Sequence, residues 1–145
     1  MAKLLDIRTY ENRRINPQNN KVWGKTSILE ALEDIPFNIK RVFYIYGTST
    51  AVIRGGHRLK KTIQGLVCLQ GKYEIFVDNS TTKRKYILDT PSKILVLDNK
   101  DWHTMQSKTP KSILLVLSSR HYDVNDYIDE PYPTTPKKIV DKLCL

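Results

Sequence analysis

The chain has 145 residues, 40% of them hydrophobic and 27% charged, with a formal net charge of +9. This is one domain's worth of chain, enough to bury a real core, and its composition is that of an ordinary globular protein. No apolar run reaches the roughly 18–20 residues of a membrane span, MAKLLDIRTY is too short an apolar start for a signal peptide, and two cysteines, Cys68 and Cys144, make no disulfide framework, so the chain reads as cytosolic, without a membrane partner.

In chain order, residues 3–10 alternate weakly and could form a strand, one that pairs across a two-fold axis in a dimer. SILEALED (27–34) fits a helix or a strand. Strands are predicted over RVFYIYG (41–47), QGLVCLQ (64–70), KYEIFVD (72–78), KRKYILD (83–89), SKILVLD (92–98) and SILLVLS (112–118), all rich in Val, Ile, Leu, Tyr or Phe. Gly71, Asp78-Asn79, Pro91, Asn99 and Pro110 break them. Cys68 lies in an apolar run and reads as a small buried hydrophobe. The tail, 123–145, carries Pro131, Pro133 and Pro136 and is not sheet. A short helix near 123–129, an extended stretch and a last helical turn near 137–143 are expected there. Strands recurring about every ten residues indicate one all-β domain over 1–145. The expected architecture is an antiparallel jelly-roll β-barrel with a short C-terminal helical segment and its ligand site inside.

The excess of Lys and Arg suits an anionic partner: nucleic acid, an acidic membrane surface or a phosphorylated small molecule. It equally suits a plain Lys-rich surface. No zinc finger, basic helix or RNA-binding aromatic signature accompanies the charge, so no nucleic-acid partner is expected.

The chemistry concentrates in RGGHRLKKTIQGLVCLQG (54–71). A metal-binding cupin carries His-x-His, then a Glu, then a Gly, and a second His arrives from a later strand. Here His57 takes the first position, Leu59 the second, Gln64 the Glu position and Gly71 the Gly, while His103 in DNKDWHTM falls at the late His. Leu cannot coordinate and neutral Gln is a poor ligand, so neither metal nor other cofactor is expected. His57 and His103 either stay as surface or hydrogen-bonded core histidines, or converge from facing strands and move protons.

Four blocks in order, IPFNIKRVFYIYG (35–47), RGGHRLKKTIQGLVCLQG (54–71), DWHTM (101–105) and SSRHYDVNDYI (118–128), resemble the nucleotide-sugar 3,4-ketoisomerases of the cupin superfamily. The resemblance covers most of the chain. It implies conversion of dTDP-4-keto-6-deoxyglucose to the 3-keto-6-deoxyhexose by metal-free proton transfer through an enediol. It also implies a homodimer, and a product that feeds an aminotransferase making 3-amino sugars for surface glycans. His57 would be the base, with His103 and Tyr44 as further catalytic groups. Arg54 and Lys60 would hold the diphosphate, and Gln64, Tyr46 and Trp102 would contact the rest of the substrate. Tyr122, Asp126 and Tyr127, from the family's tail motif, would close one end of the site or pack a dimer. His at position 103, where the family carries His or Arg, points to the galacto-configured product. The family's HAHK reads His57-Arg58-Leu59-Lys60 here, so a second histidine is missing. A non-catalytic, dTDP-sugar-binding or regulatory cupin is the alternative.

Overall fold

The computed structural model describes residues 1–16 and 19–143. Twelve strands form among them: β1 (Lys3–Asp6), β2 (Arg8–Asn16), β3 (Asn19–Ile28), β4 (Arg41–Ile45), β5 (Ile53–Leu59), β6 (Gln64–Gln70), β7 (Tyr73–Asp78), β8 (Lys83–Leu88), β9 (Lys93–Leu97), β10 (Trp102–Ser107), β11 (Ile113–Ser118) and β12 (Tyr127–Ile128). One five-stranded sheet runs β1-β9-β6-β11-β4 and the other β12-β5-β10-β7-β8, while β2 and β3 pair with each other as a separate ribbon. The pairings within these sheets are antiparallel. The fold is all-β and jelly-roll-like, with its pairings divided between two sheets.

The sequence explains the difference between the sheets. β6, β9 and β11 read as continuous apolar runs because both their faces are covered. Leu66, Cys68, Leu95, Leu97, Leu114 and Val116 face the second sheet, where Tyr73, Ile75, Val77, Tyr86, Leu88 and Met105 meet them. Val67, Ile94, Val96 and Leu117 face outward and are covered by Ile7, Ile35 and Phe37. β8, at the edge of the second sheet, alternates: Lys83 and Lys85 are exposed while Tyr86 and Leu88 are buried.

The six strands predicted from apolar runs all form, trimmed by a residue or two at most. The ambiguous stretch 27–34 is neither helix nor a full strand. Its first two residues end β3, and the rest is a turn held by the Glu30 carbonyl, which accepts from the amides of Glu33 and Asp34. Residues 3–10 split into β1, which pairs with β9 of the same chain, and the start of β2. In the tail, a single 3₁₀ turn over Val124–Asp126 and the two residues of β12 stand where a helix was expected, and α1 (Lys137–Val140) supplies the last helical turn. β5 and β10 lack a clean apolar alternation, because one carries Gly-Gly and the other is polar at four of its six positions. Cys68 is buried and unpaired, and Cys144 lies outside the described residues.

Candidate active site

A cavity of about 340 Å³ opens between the two sheets, at the edge where β4 and β12 end them. Phe43, Ile45, Gln64 and Val116 line it from the first sheet; Arg54, His57, Met105 and Tyr127 line it from the second.

The pair of glycines in β5 builds this wall. In a regular strand Arg54 and His57, three residues apart, would point to opposite faces. The β5–β10 register slips here: His103 pairs with His57, Thr104 with Gly55 and Met105 with Arg54. One extra residue on β5 is a β-bulge, and it turns both side chains toward the core face that His103 and Met105 share. Gly55 and Gly56 have φ of +84° and +78°, a left-handed geometry that glycine adopts without steric cost. An added Cβ on Gly55 would stand 3.0 Å from the His103 carbonyl oxygen.

His57 and His103 do meet. Their ring centroids are 5.1 Å apart with planes at 80°. They come from neighbouring, hydrogen-bonded strands of one sheet, not from strands facing each other across the core as expected. His103 is 2% exposed and stands behind His57 rather than on the cavity wall. Its Nδ1 lies 3.0 Å from the Asp101 carbonyl oxygen, which can only accept, so Nδ1 carries the proton and Nε2 keeps a lone pair. Burial lowers the pKa of both rings; His57, further opposed by the charge of a protonated His103, falls to about 3. Both imidazoles are neutral at physiological pH, and His57 presents a free base to the cavity.

Gln64 is 4% exposed and donates one amide N–H to Ser118 Oγ at 3.1 Å. Tyr44 and Tyr46 reach the cavity only at its mouth, 62% and 69% exposed. Tyr44 pairs with Leu115, while the inward-facing Phe43 pairs with Val116. The phenol expected from Tyr44 is therefore directed away from His57. Two further residues expected at the site lie off the cavity wall. Trp102 is wholly buried and donates its indole N–H to the Asp129 carbonyl at 3.2 Å, which supports the tail. Lys60 is exposed beyond the end of β5 and lies off the cavity wall, because strand geometry turns it away from His57 and Leu59.

The inward position after His57 belongs to Leu59, 4% exposed and packed in the interior. An aliphatic side chain there, an amide at Gln64 and two imidazoles make a poor set for a transition metal. No group of three or more His, Cys, Asp or Glu converges among the described residues. No helix among them is long and apolar enough to cross a membrane.

Tyr127 has a larger place here than the motif suggested. β12 pairs with β5, Tyr127 opposite Leu59, and the Tyr127 ring contacts His57 edge-on at 4.9 Å. Buried Asp126 fastens this short strand: it accepts from the Lys61 amide at 2.8 Å and from the Thr62 hydroxyl, and its carbonyl accepts from the Lys60 amide at 2.9 Å. Phe43 and Met105 also line the cavity without having been singled out; a position on the inward face of its strand was the only available signal for either.

The WxcM-like, C-terminal family model matches residues 6–134. The chain belongs to that family. This WxcM-like chain is 37% identical over 105 residues to the TDP-4-oxo-6-deoxy-alpha-D-glucose-3,4-oxoisomerase of Aneurinibacillus thermoaerophilus, covering 72% of this chain and 76% of that one. Its fold is similar to that of the 3,4-ketoisomerase QdtA from Thermoanaerobacterium thermosaccharolyticum, solved as a mutant with TDP-4-keto-6-deoxyglucose. Identity is 30%, coverage 97% and 92% of the two chains, and the TM-score 0.80. It is also similar to the TDP-fucose-3,4-ketoisomerase WlaRA from Campylobacter jejuni, at 32% identity, 89% coverage of each chain and a TM-score of 0.75.

Proposed function

We propose that this protein is a sugar-nucleotide 3,4-ketoisomerase that moves the ketone of TDP-4-keto-6-deoxyglucose from C4 to C3. The observation that carries the reading is the bulge in β5. It brings a cation, Arg54, and a neutral base, His57, onto one cavity wall in a chain whose relatives bear that activity in their names. Arg54 suits bidentate recognition of the diphosphate. The sugar then lies against His57, with the Gln64 carbonyl oxygen available to a sugar hydroxyl.

His57 takes the proton from C3. The C–H pair becomes the C3–C4 double bond of an enediol, and the carbonyl pair moves to O4. Return of a proton at C4 and opening of the C3 hydroxyl to a ketone complete the reaction with no net redox change. Burial makes His57 hold a proton weakly. A diphosphate seated on Arg54 brings negative charge close by and raises the proton affinity of His57 toward the range useful at neutral pH.

The test is incubation with TDP-4-keto-6-deoxyglucose in deuterium oxide, read by nuclear magnetic resonance. Deuterium at the exchanging carbon and a 3-keto product are expected, with a galacto configuration at C4. A chain that binds TDP but gives neither exchange nor product is instead a sugar-nucleotide-binding protein, the reading that Leu59 favours.

The homodimer belongs to the same reading. β2 and β3 pair only with each other, and Tyr10 and Val22 on them are exposed. A two-stranded ribbon is marginal by itself and needs a surface to pack on. A second copy supplies one. Sedimentation at micromolar concentration should show a dimer, and a stable monomer would overturn this assignment.

A further inference from the structure

The isomerisation needs two groups. One moves a proton between carbons, and the other serves the oxygens, where charge appears on O4 and a proton must leave O3. His57 fills the first role. On the inner cavity wall the second role has few candidates. Phe43, Ile45, Met105 and Val116 carry no exchangeable proton. Leu59 is aliphatic, and the Gln64 carboxamide is far too weak an acid to transfer a proton. His103 has its Nδ1 proton on the Asp101 carbonyl and does not line the cavity. Tyr44 and Tyr46 stay at the mouth.

Tyr127 remains. Its ring stands 4.9 Å from that of His57, on the diagonal of the β5–β12 pairing, where an aromatic side chain reaches its neighbour. Its phenol oxygen accepts a hydrogen bond from Arg41 Nη2 at 3.4 Å. That bond occupies a lone pair and leaves the O–H free to donate. Arg41 lies over the Phe43 ring at 4.8 Å and the Tyr122 ring at 5.4 Å, which hold it there.

We infer that Tyr127 is the second catalytic residue and shuttles a proton between O4 and O3, with Arg41 as its positioning residue; this rests on the isomerase reading. As His57 takes the C3 proton, Tyr127 gives its phenolic proton to O4 and becomes a phenolate held by Arg41. The O3 hydroxyl returns a proton to that phenolate, the ketone forms at C3, and the C3–C4 pair takes its proton at C4 from protonated His57. Each group ends as it began, with no other reactant required.

The test is steady-state kinetics of Tyr127→Phe, which keeps the ring against His57 and removes only the hydroxyl. Its kcat should fall by about 10²–10⁴-fold while KM and the Kd for TDP stay within threefold of the parent protein. Arg41→Gln keeps a donor but removes the charge. It should lower kcat while KM and the Kd for TDP stay within threefold of the parent protein, a split that a purely structural role would not produce. It also decides the matter should Tyr127→Phe lose TDP binding. An active parent with a Tyr127→Phe variant of equal kcat, or an Arg41→Gln variant whose kcat is unchanged or falls only together with TDP affinity, overturns the shuttle alone. A parent chain that makes no 3-keto product overturns the isomerase reading, and the role of Tyr127 falls with it.

Discussion

His57 and His103 stand opposite each other in the β5–β10 register, ring centroids 5.1 Å apart and planes nearly perpendicular. Two imidazolium ions cannot share so enclosed a place, because burial opposes charge on each and a charge on one opposes charge on the other. The inner ring is fixed as a neutral tautomer by the Asp101 carbonyl. The outer ring is kept as a free base facing the cavity chiefly by its own burial.

This pair makes the fold sensitive to acid. The folded pKa values lie below the ordinary 6.5, with His57 near 3. Below pH 6.5 the unfolded chain therefore binds protons that the folded chain refuses. Stability is full above 6.5 and is lost as pH falls toward 3. Asp101, raised by burial, works in the opposite direction nearer the carboxylate range, so the histidine signature is cleanest from pH 6.5 down to 5. Thermal melts should show a steady fall in Tm over that interval, shallower in His57→Asn. A flat Tm would contradict the burial of the pair.

Removal of the base should separate chemistry from binding. His57→Asn is expected to lower kcat by about 10²–10⁴-fold with little change in TDP affinity, because only proton transfer is lost. Arg54→Ala should do the reverse, weakening TDP binding by about 1.5–3 kcal/mol for a lost charge-assisted hydrogen bond. Calorimetric titration with TDP beside single-turnover kinetics distinguishes the two signatures. Equal losses of binding in both variants would mean that Arg54 does not hold the diphosphate.

The bulge should tolerate no side chain. Gly55→Ala places a Cβ 3.0 Å from the His103 carbonyl oxygen at φ +84°. The left-handed conformation alone costs about 1–2 kcal/mol for a non-glycine residue. Denaturant unfolding should show at least that loss. TDP affinity should fall too, since Arg54 is aimed by the same bulge. Unaltered binding in Gly55→Ala would show that Arg54 reaches its ligand without the bulge.

Asp126 should matter to catalysis without touching substrate. Asp126→Ala leaves the Lys61 amide and the Thr62 hydroxyl without their acceptor, and an unsatisfied buried group costs about 1–3 kcal/mol. β12 then loosens and Tyr127 leaves His57. A drop in Tm with a larger drop in kcat than in TDP affinity is expected. Full activity in Asp126→Ala would show that Tyr127 holds its place without this anchor.

Chelation should not inactivate the protein. Leu59 and Gln64 occupy the positions where a metal cupin has ligands, and two imidazoles alone hold transition metals weakly. Activity after exhaustive dialysis against a chelator should match the untreated protein. Stoichiometric zinc, iron or nickel lost together with activity would refute this.

Much of the protein is written in local sequence. The apolar runs of β6, β9 and β11 commit those segments to a doubly covered sheet, since no other environment removes both faces from water. Arg54, His57 and Leu59 state which chemistry β5 can carry and which it has lost, and the family resemblance follows from residue order alone. Tertiary structure decided where each side chain points. A one-residue slip against β10 put Arg54 and His57 on one wall, although strand spacing alone would separate them. The same three-dimensional packing placed Trp102 and Lys60 off the cavity wall. It also recruited Tyr127 from the tail through a two-residue strand that leaves no periodic trace, being held by hydrogen bonds to residues some 65 positions away. Such contacts form only once the chain has closed on itself, so the base was legible in the sequence and its neighbour was not.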